Sequence, residues 1–360
     1  MFMPTGDNKN FHSITFAEAV REATVQAMEK DNSVLALGLG VTDPKGVFGT
    51  TLGLKEQFGK ERVYDIPVSE NAVTGICVGL SISGFRPILS HQRADFMLMS
   101  MDQIINNSAK WSYMFGGQSS VPLVIRTIVG RGWGQGPQHS QNFQAMFAQI
   151  PGLKVVSPTT PYQAKGLMVA AIEDSDPVMF IEHRWLHGQI GDVPKGYYSI
   201  PIGKAHVMKE GKDLTIVTSL DMAIEALKIA EKLKPQNVDI EIIDLCSVKP
   251  LDEKTILESV RKTGRLLAID SSWKDFGVAS QVSALVAEKG YNNLKSPIRR
   301  IGLPDIPSPS TPALSKEFYP RAKDICKVIE NMLEMEIDMG VFEEEQLPHD
   351  VPDPFFKGPF

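Results

Sequence analysis

The chain has 360 residues, of which 42% are hydrophobic and 22% charged, and its formal net charge at pH 7 is -6. This length is enough for two domains, and the composition is that of a globular protein. The acidic balance, without a basic stripe carrying aromatic side chains, argues against a protein that binds nucleic acid.

The cysteines and the apolar runs bear on where in the cell the protein resides. Cys77, Cys246 and Cys326 lie far apart in apolar stretches, which favours buried thiols in a reducing compartment over a disulfide framework or a zinc site. No apolar run reaches membrane-spanning length, and the first dozen residues lack a basic end followed by an apolar core. We therefore expect a cytoplasmic protein without a membrane segment or a secretory signal.

The first half of the chain alternates predicted helices and strands. A helix begins after Thr15, and the V-L-A-L-G-L-G-V that follows it is typical of a buried parallel strand. The next predicted elements are strand 62–66, helix 70–83 with Ser69 as N-cap, strand 86–90, helix 97–114, strand 121–128, a helix after His139, the strand L-K-V-V-S-P, helix 161–173 and the strand P-V-M-F-I-E. Helix 70–83 is apolar almost all round, which predicts that it is fully buried. This alternation predicts a parallel, doubly wound sheet.

The pattern lapses over residues 188–200, which we interpret as a linker between a domain at 1–187 and a smaller α/β domain at 201–333. The second domain reads as the strand D-L-T-I-V-T-S, helix 221–233, V-D-I-E-I-I-D-L, helix 252–262, R-L-L-A-I-D, helix 277–290, P-I-R-R-I-G and helix 316–333. The tail, 334–360, is acidic and then rich in Phe and Pro, so it cannot build a core. We expect it to be either disordered or an arm that docks on another surface.

Two polar residues are candidates for chemistry. Glu70 opens the apolar helix, where the helix dipole favours a carboxylate whatever its role; at the carboxyl edge of a parallel sheet it would also face the ligand cleft. His139 follows the loop I-V-G-R-G-W-G-Q-G-P-Q, whose glycines suit close approach to a ligand, although a single loop histidine is usually just a surface residue. The loop matches neither the dinucleotide fingerprint nor a phosphate loop.

Residues 14–333 closely resemble the beta subunit of thiamine-diphosphate-dependent 2-oxo acid dehydrogenases, the pyruvate, branched-chain and acetoin types. The matching stretches are F-G-K-E-R-V-Y-D-I-P-V-S-E-N, G-F-R-P-I, M-D-Q-I-I-N-N-S-A-K, Y-M-F-G-G-Q-S, Q-H-S-Q-N-F, P-G-L-K-V-V-S-P, I-P-I-G-K-A, E-I-I-D-L-C-S-V-K-P-L-D and K-T-G-R-L-L-A-I-D. So many motifs in the same order are far more specific than any one alone. The resemblance implies a pyrimidine-binding domain followed by a transketolase C-terminal-like domain.

The resemblance also implies roles for three residues. Glu70 matches the glutamate that contacts N1′ of the cofactor's aminopyrimidine, and Phe96 matches an aromatic residue that packs on the same ring, although core packing alone would also explain an aromatic there. His139 matches the histidine that serves acyl transfer. The reaction implied is decarboxylation of a 2-oxo acid, with the acyl group passed to a lipoyl acceptor on an acyltransferase.

The family's diphosphate and Mg²⁺ motif, G-D-G followed by N-N, is absent from this chain. In the family it lies on a separate alpha subunit, so the resemblance implies an alpha partner and an α2β2 heterotetramer. Some members also hold K⁺ near the positions of Ala171, Ile172, Asp174 and Asp176. The alternative there is a bare helix C-terminus with free carbonyls, because the family often has Asn where Asp176 stands.

Three departures from the family pattern leave the substrate open. Where the family has an acidic G-E-D or G-E-E this chain has Gly38-Leu39-Gly40, and where it has mostly apolar residues before the aromatic, this chain has His91-Gln92-Arg93. Arg131 and Trp133 replace small residues in the glycine loop. These changes are either drift with surface-facing charges or a pocket in which His91, Arg93 and Arg131 bind an anionic or polyhydroxylated substrate.

Two other functions stay open at this point. A transketolase-like or synthase-type carbon–carbon transferase acting on a sugar or another anionic substrate would fit the departures at Leu39, His91 and Arg93. A non-catalytic subunit that only completes the fold of a partner is the second alternative, and the presence of both Glu70 and His139 argues against it.

Overall fold

The computed structural model of the chain describes residues 10–131, 134–342 and 351. The strands are β1 (Phe11–Thr15), β2 (Val34–Gly38), β3 (Val63–Tyr64), β4 (Arg86–His91), β5 (Val124–Val129), β6 (Lys154–Val156), β7 (Val178–His183), β8 (Ile190–Pro194), β9 (His206–Lys209), β10 (Leu214–Thr218), β11 (Ile240–Asp244), β12 (Ser247–Lys249), β13 (Leu266–Trp273) and β14 (Arg299–Leu303). The α-helices are α1 (Phe16–Lys30), α2 (Leu54–Phe58), α3 (Glu70–Ile82), α4 (Ala94–Met97), α5 (Ala109–Met114), α6 (Gln144–Ala148), α7 (Pro161–Glu173), α8 (Asp221–Leu233), α9 (Glu253–Thr263), α10 (Val278–Lys289), α11 (Pro312–Phe318) and α12 (Ala322–Leu333).

Two mainly parallel sheets organise the molecule. The first has the strand order β12-β6-β7-β5-β4-β2-β3, and the second has the order β14-β13-β10-β11-β9. In each sheet one edge strand is antiparallel, β12 against β6 and β9 against β11. All residues of β2, β5 and β7 are buried, as expected for parallel strands covered on both faces. The predicted α/β class with two doubly wound domains is confirmed.

Local sequence explains where α1 begins. The Thr15 side chain accepts a hydrogen bond from the Glu18 backbone N–H, and the Glu18 carboxylate accepts one from the Thr15 backbone N–H, which makes a capping box. Thr160 and Gln163 form the same arrangement at the start of α7. These caps fix the ends of two long helices and therefore their placement on the first sheet.

Four short strands, β1, β8, β9 and β12, lie where none was predicted. β8 lies within the segment 188–200, interpreted as a linker, and pairs antiparallel with β1. β12 comes from the C-terminal half of the chain and extends the first sheet beside β6. The chain therefore crosses between the two sheets, and the domain bounds stay a prediction.

The helix predicted over 97–114 is irregular. It consists of α4, a 3₁₀ turn at Leu98–Ser100, a π-helical turn at Gln103–Ser108 and α5. Side-chain hydrogen bonds within the π turn, from Asn107 to Gln103 and from Asn106 to Asp102, accompany this geometry. Periodicity alone did not reveal the change of helix type.

The expectation that helix 70–83 is fully buried is wrong. One face of α3 is buried, with Val73, Cys77 and Val78, but Ile76 is 57% exposed and Ile82 is exposed as well. Ser69 occupies the N-cap position, yet its side chain makes no capping hydrogen bond.

The C-terminal region also departs from the pattern. The helix predicted over 316–333 is two helices, α11 and α12, because Pro320 lacks a backbone N–H and disfavours helical geometry in the residue before it. Beyond α12 a 3₁₀ turn at Met339–Phe342 packs Phe342 into the hydrophobic core between the second sheet and helices α8 and α12. The rest of the tail, apart from Val351, lies outside the described residues. No helix within the described ranges is long and apolar enough to cross a membrane.

Candidate functional site

Three candidate residues follow three strands of the first sheet at the same edge. Glu70 opens α3 after β3, Phe96 lies in α4 after β4, and His139 lies in the loop after β5. Since these strands are mutually parallel, their carboxyl ends share one edge, which is where sheets of this kind bind ligands. The fold therefore places the candidates on the same side of the sheet.

Glu70 is partly exposed at the first turn of α3. Its backbone carbonyl accepts a hydrogen bond from the Thr74 hydroxyl at 2.7 Å, but within the described part of the chain its carboxylate has no hydrogen-bond partner. A carboxylate at a helix N-terminus is stabilised by the dipole and the free N–H groups. The group is therefore available to a ligand or to another subunit.

Phe96 and His139 meet directly. Their ring centroids are 5.1 Å apart at an interplanar angle of 85°, an edge-to-face contact of the kind aromatic rings prefer. Phe96 is 45% exposed, which is unusual for a side chain of this size, and His139 is half-buried. The exposed part of the phenyl ring is free to pack on another flat ring.

The residues beside Phe96 also contact the loop that carries His139. Arg93 donates from Nη2 to Gln135 Oε1 at 2.6 Å, and Gln141 donates from Nε2 to Asp95 Oδ1 at 2.6 Å. Neither Asp95 nor the two glutamines was singled out from the sequence. The only signals for them were the position of Asp95 next to Phe96 and of Gln141 in the H-S-Q motif.

The three proposed substrate residues are buried. Arg93 and Arg131 are each 4% exposed, and the guanidinium carbon of Arg131 lies 4.1 Å from the ring centroid of Trp185 and 3.6 Å from that of Tyr319. Burial lowers the pKa of His91 to about 4, so this side chain is neutral at pH 7, and its Nε2 finds no hydrogen-bond partner within the described ranges. The structure gives both arginines contacts inside the chain, and their role towards substrate stays a prediction. Trp133 lies outside the described residues.

The second domain contacts the segment that follows His139. Asn142 donates to the backbone carbonyl of Ser271, and Gln144 donates to Asp270 Oδ1 at 2.9 Å. Burial raises the pKa of Asp270, while the Ser272 backbone N–H, a hydrogen-bond donor to it, acts in the opposite direction. These bonds connect the end of β13 to the histidine loop, and no sequence pattern indicated them.

A buried ionic cluster lies under the same sheet edge. Arg126 in β5 pairs with Glu182 in β7 through Nε–Oε1 at 2.7 Å and Nη2–Oε2 at 3.0 Å, and His187 Nε2 lies 3.1 Å from Glu182 Oε2. The Arg126 charge and the His187 contact outweigh the desolvation of Glu182 and hold its pKa at about 2. The available signal for this pair was one charged residue within each of two otherwise mainly apolar strands.

Three of the four candidate potassium residues, Ile172, Asp174 and Asp176, are bound by cationic side chains of this chain. Arg86 Nη1 donates to the carbonyls of Ile172 at 2.8 Å and Asp174 at 2.9 Å. Lys154 Nζ lies 2.7 Å from Asp174 Oδ1 and 3.3 Å from Asp176 Oδ2. These oxygens already have positive partners, so the arrangement does not fit a potassium ion.

No group of three or more His, Cys, Asp or Glu side chains in the described part of the chain is placed to hold a metal.

Comparisons with known proteins show the family of this chain. The family described as "Transketolase, pyrimidine binding domain" matches residues 12–188, and "Transketolase, C-terminal domain" matches residues 203–325. The acetoin:2,6-dichlorophenolindophenol oxidoreductase subunit beta of Bacillus subtilis is 40% identical over 332 residues, covering 89% of this chain and 97% of that protein. The pyruvate dehydrogenase E1 component subunit beta of Rickettsia bellii is 39% identical over 319 residues, covering 89% of this chain and 98% of that protein.

A third related subunit and a solved structure are also similar to this chain. The 2-oxoisovalerate dehydrogenase subunit beta of Bacillus subtilis is 41% identical over 307 residues, covering 85% of this chain and 94% of that protein. A solved structure described as "Split gene transketolase, inactive beta4 tetramer" superposes with a TM-score of 0.72 at 22% identity, over 90% of this chain and 99% of that chain. At that identity the last similarity concerns the fold alone.

Proposed function

We propose that this chain, which belongs to the family of beta subunits of thiamine-diphosphate-dependent 2-oxo acid dehydrogenases, completes the active site of an alpha subunit and acts in the decarboxylation of a 2-oxo acid. The observation that carries the proposal is the Glu70 carboxylate, which lies without a hydrogen-bond partner among the described residues at the carboxyl edge of the pyrimidine-binding sheet.

The residues present fit the aminopyrimidine half of the cofactor. Glu70 would hold a proton shared with the ring nitrogen, and the half-exposed face of Phe96 would pack on the ring. When bound, thiamine diphosphate supplies the carbon nucleophile and the electron sink that 2-oxo acid decarboxylation requires. His139, in edge contact with Phe96, is placed to exchange a proton with a reacting group above that ring, which supports a role in acyl transfer to a lipoyl acceptor.

The alpha partner finds support in the surface around α3. Large apolar side chains are exposed on α3, on the segment before it and on the irregular helix packed against it: Val68, Ile76, Ile82, Met99, Tyr113, Met114 and Phe115. Exposed apolar side chains gathered around a site are typical of a protein interface. We place the alpha subunit, with the diphosphate and Mg²⁺ ligands, on this surface, in an α2β2 complex in the cytoplasm, where the three buried free thiols would stay reduced.

The substrate remains the open part of the proposal. The names of the pyruvate and 2-oxoisovalerate dehydrogenase relatives favour a decarboxylating dehydrogenase over the transketolase-like transferase considered above. A preference for an anionic substrate would require Arg93 or Arg131 to exchange its present contacts for a ligand, since both are buried.

The test is reconstitution. The chain is purified with its alpha subunit, and 2-oxo acids with aliphatic, branched and anionic side chains are compared for CO₂ release with Mg²⁺ and thiamine diphosphate, using dichlorophenolindophenol as electron acceptor. We expect release from at least one 2-oxo acid and none when Glu70 is replaced by Gln. Carbon–carbon transfer between sugars without CO₂ release would favour the transferase instead.

A further inference from the structure

Residues 134–141, which we call the His139 loop, are bound at both ends by one short segment of the first domain. Near its start the loop accepts a hydrogen bond on Gln135 Oε1 from Arg93 Nη2 at 2.6 Å. At its end Gln141 Nε2 donates to Asp95 Oδ1, also at 2.6 Å. The two residues that hold the loop are therefore only two positions apart in the chain.

The histidine itself contacts the same segment. Phe96, which directly follows Asp95, meets the His139 ring edge-on with centroids 5.1 Å apart. Segment 93–96 thus contacts the His139 loop near its beginning, at its histidine and at its end. Loss of any of these contacts would let the imidazole move relative to the phenyl ring.

The guanidinium that donates to Gln135 is largely shielded from water, although the bond itself is only partly buried. Arg93 is buried, and its Nη1 also donates to the Gly130 carbonyl at 3.2 Å, just before the loop. Burial lowers the pKa of Arg93 to about 10, so the guanidinium remains charged at neutral pH. A charge-assisted hydrogen bond in a buried setting is stronger than one between neutral groups or one in water.

Asp95 is held in an electrostatic setting that includes the histidine. Burial raises the pKa of its carboxyl, while the hydrogen bond from Gln141 and the nearby Arg93 and His139 oppose this.

The second domain covers the opposite side of the loop. Gly134 and Gly136 have φ of 58° and 69°, and a Cβ on either would meet Ser310 of the second domain. A side chain at these positions would be strained and would push the loop off the second domain. The loop is thus packed between segment 93–96 and the segment around Ser310.

We propose that Arg93 and Asp95 are positioning residues that fix the His139 loop for acyl transfer. The inference rests on the proposed function for the role of His139, but the fixing of the loop is a property of the chain itself. Arg93 acts through Gln135 and the Gly130 carbonyl, and Asp95 acts through Gln141. Where the resembled family has mostly apolar residues at the position of Arg93, this chain adds a buried cation and thereby a direct hydrogen bond to the loop.

The first test measures the loop without turnover. In the complex with the alpha subunit, hydrogen–deuterium exchange of peptides covering residues 134–142 is compared between wild type, Arg93→Met, Gln135→Met and the double variant. We expect about tenfold faster exchange in each single variant, because a charge-assisted hydrogen bond is lost. The double variant should match Arg93→Met, because both lack the bond between Arg93 and Gln135, and both also lack the bond from Arg93 to the Gly130 carbonyl that Gln135→Met keeps. Gln135→Met leaves Arg93 in place and guards against a variant that fails to fold.

A matched control is available next to Arg93. Gln92 donates to the Leu39 carbonyl at 3.0 Å and so binds a different segment; Gln92→Ala should leave exchange in the His139 loop unchanged. At the other end, Asp95→Asn keeps an acceptor oxygen for Gln141 and should retain most of the protection, whereas Asp95→Leu should lose it.

The second test separates positioning from substrate contact. With the same complexes, Arg93→Met should lower kcat for transfer to a lipoyl acceptor several-fold more than kcat with dichlorophenolindophenol, without raising KM for the 2-oxo acid. Unchanged loop exchange in Arg93→Met overturns the proposal, and so does a selective rise in KM for anionic substrates. If the wild-type complex releases no CO₂ but Arg93→Met still loosens the loop, the proposed function fails while the positioning of the loop stands.

Discussion

Glu70 and His139 lie at the same edge of the first sheet, but their surroundings differ. The Glu70 carboxylate has no hydrogen-bond partner among the described residues, and it lies on a helix with an exposed apolar face. The His139 loop is packed between segment 93–96 and the second domain. From this difference we predict that the Glu70 side depends on the alpha subunit for its final geometry, whereas contacts within this chain already hold the His139 side.

The strongest test of the Glu70 side is Glu70→Gln. An amide cannot exchange the proton that the carboxyl would share with the cofactor's ring nitrogen, so we expect deuterium exchange at C2 of the cofactor to fall by about 10²-fold or more in the reconstituted complex. The fold should be unaffected, because the Glu70 side chain makes no hydrogen bond within the described part of the chain. Exchange at the wild-type rate would show that Glu70 is not the proton carrier.

The stability of the fold next to the His139 loop should decrease in acid. Burial lowers the pKa of His183 to about 4, and the opposing effect of Asp221 is smaller. A Cβ on Gly130, at the entry to the loop, would overlap the imidazole of His183, so this ring packs directly under that segment. Protonating His183 would thus place a charge in the interior next to the loop.

The direction of the pH dependence of stability follows from the lowered pKa of His183. The folded-state pKa lies below the unfolded value of about 6.5, so stability from this group is fully present above pH 6.5 and is lost as the pH falls towards 4. For this single buried group the loss between pH 7 and pH 5 is about 2 kcal/mol. Urea unfolding at the two pH values is compared between the wild type and His183→Asn. The variant should lose about 2 kcal/mol less than the wild type, because other buried histidines such as His91, whose pKa is also lowered to about 4, contribute equally to both. An equal loss in both would assign the effect to other groups.

Part of the fold could be predicted from the sequence alone. The bounds of α7 and α8 agree with the predicted helices 161–173 and 221–233, because local signals mark their ends: Thr160 and Pro161 at the start of α7, and Pro235 just after α8. β8 and β12 were missed because each is short and owes its existence to a distant partner strand, which no local pattern records.

The candidate site likewise has features that the sequence suggested and features that only the structure shows. The roles of Glu70, Phe96 and His139 came from the resemblance and stay predictions, whereas the contact between Phe96 and His139 required coordinates. The charge of Arg93 suggested a ligand, but a residue type does not say where its side chain points. In the structure Arg93 points to Gln135 and Gly130, forty-two and thirty-seven positions further along the chain.

The dependence of the Glu70 side on a partner can be tested by binding. Calorimetry with Mg²⁺ should give affinity for thiamine diphosphate at least about tenfold weaker for the isolated chain than for the complex, a difference of about 1.4 kcal/mol, because the diphosphate and metal motif is absent from this sequence. Addition of the alpha subunit should restore binding. Equal affinity in the isolated chain would remove the contrast between the two sides of the site.

The smallest expected effect concerns potassium. Arg86 supplies its guanidinium to the carbonyls of Ile172 and Asp174, and Lys154 supplies its ammonium to the carboxylate of Asp174. A free cation would compete with charges that are covalently part of the chain, so exchanging NaCl for KCl at constant ionic strength should shift the unfolding temperature by no more than about 1 °C. Arg86→Ser should lower stability and free both carbonyls, and KCl should then stabilise the variant more than NaCl does. A clear KCl response in the wild-type chain would mean that Arg86 and Lys154 yield these oxygens to the ion.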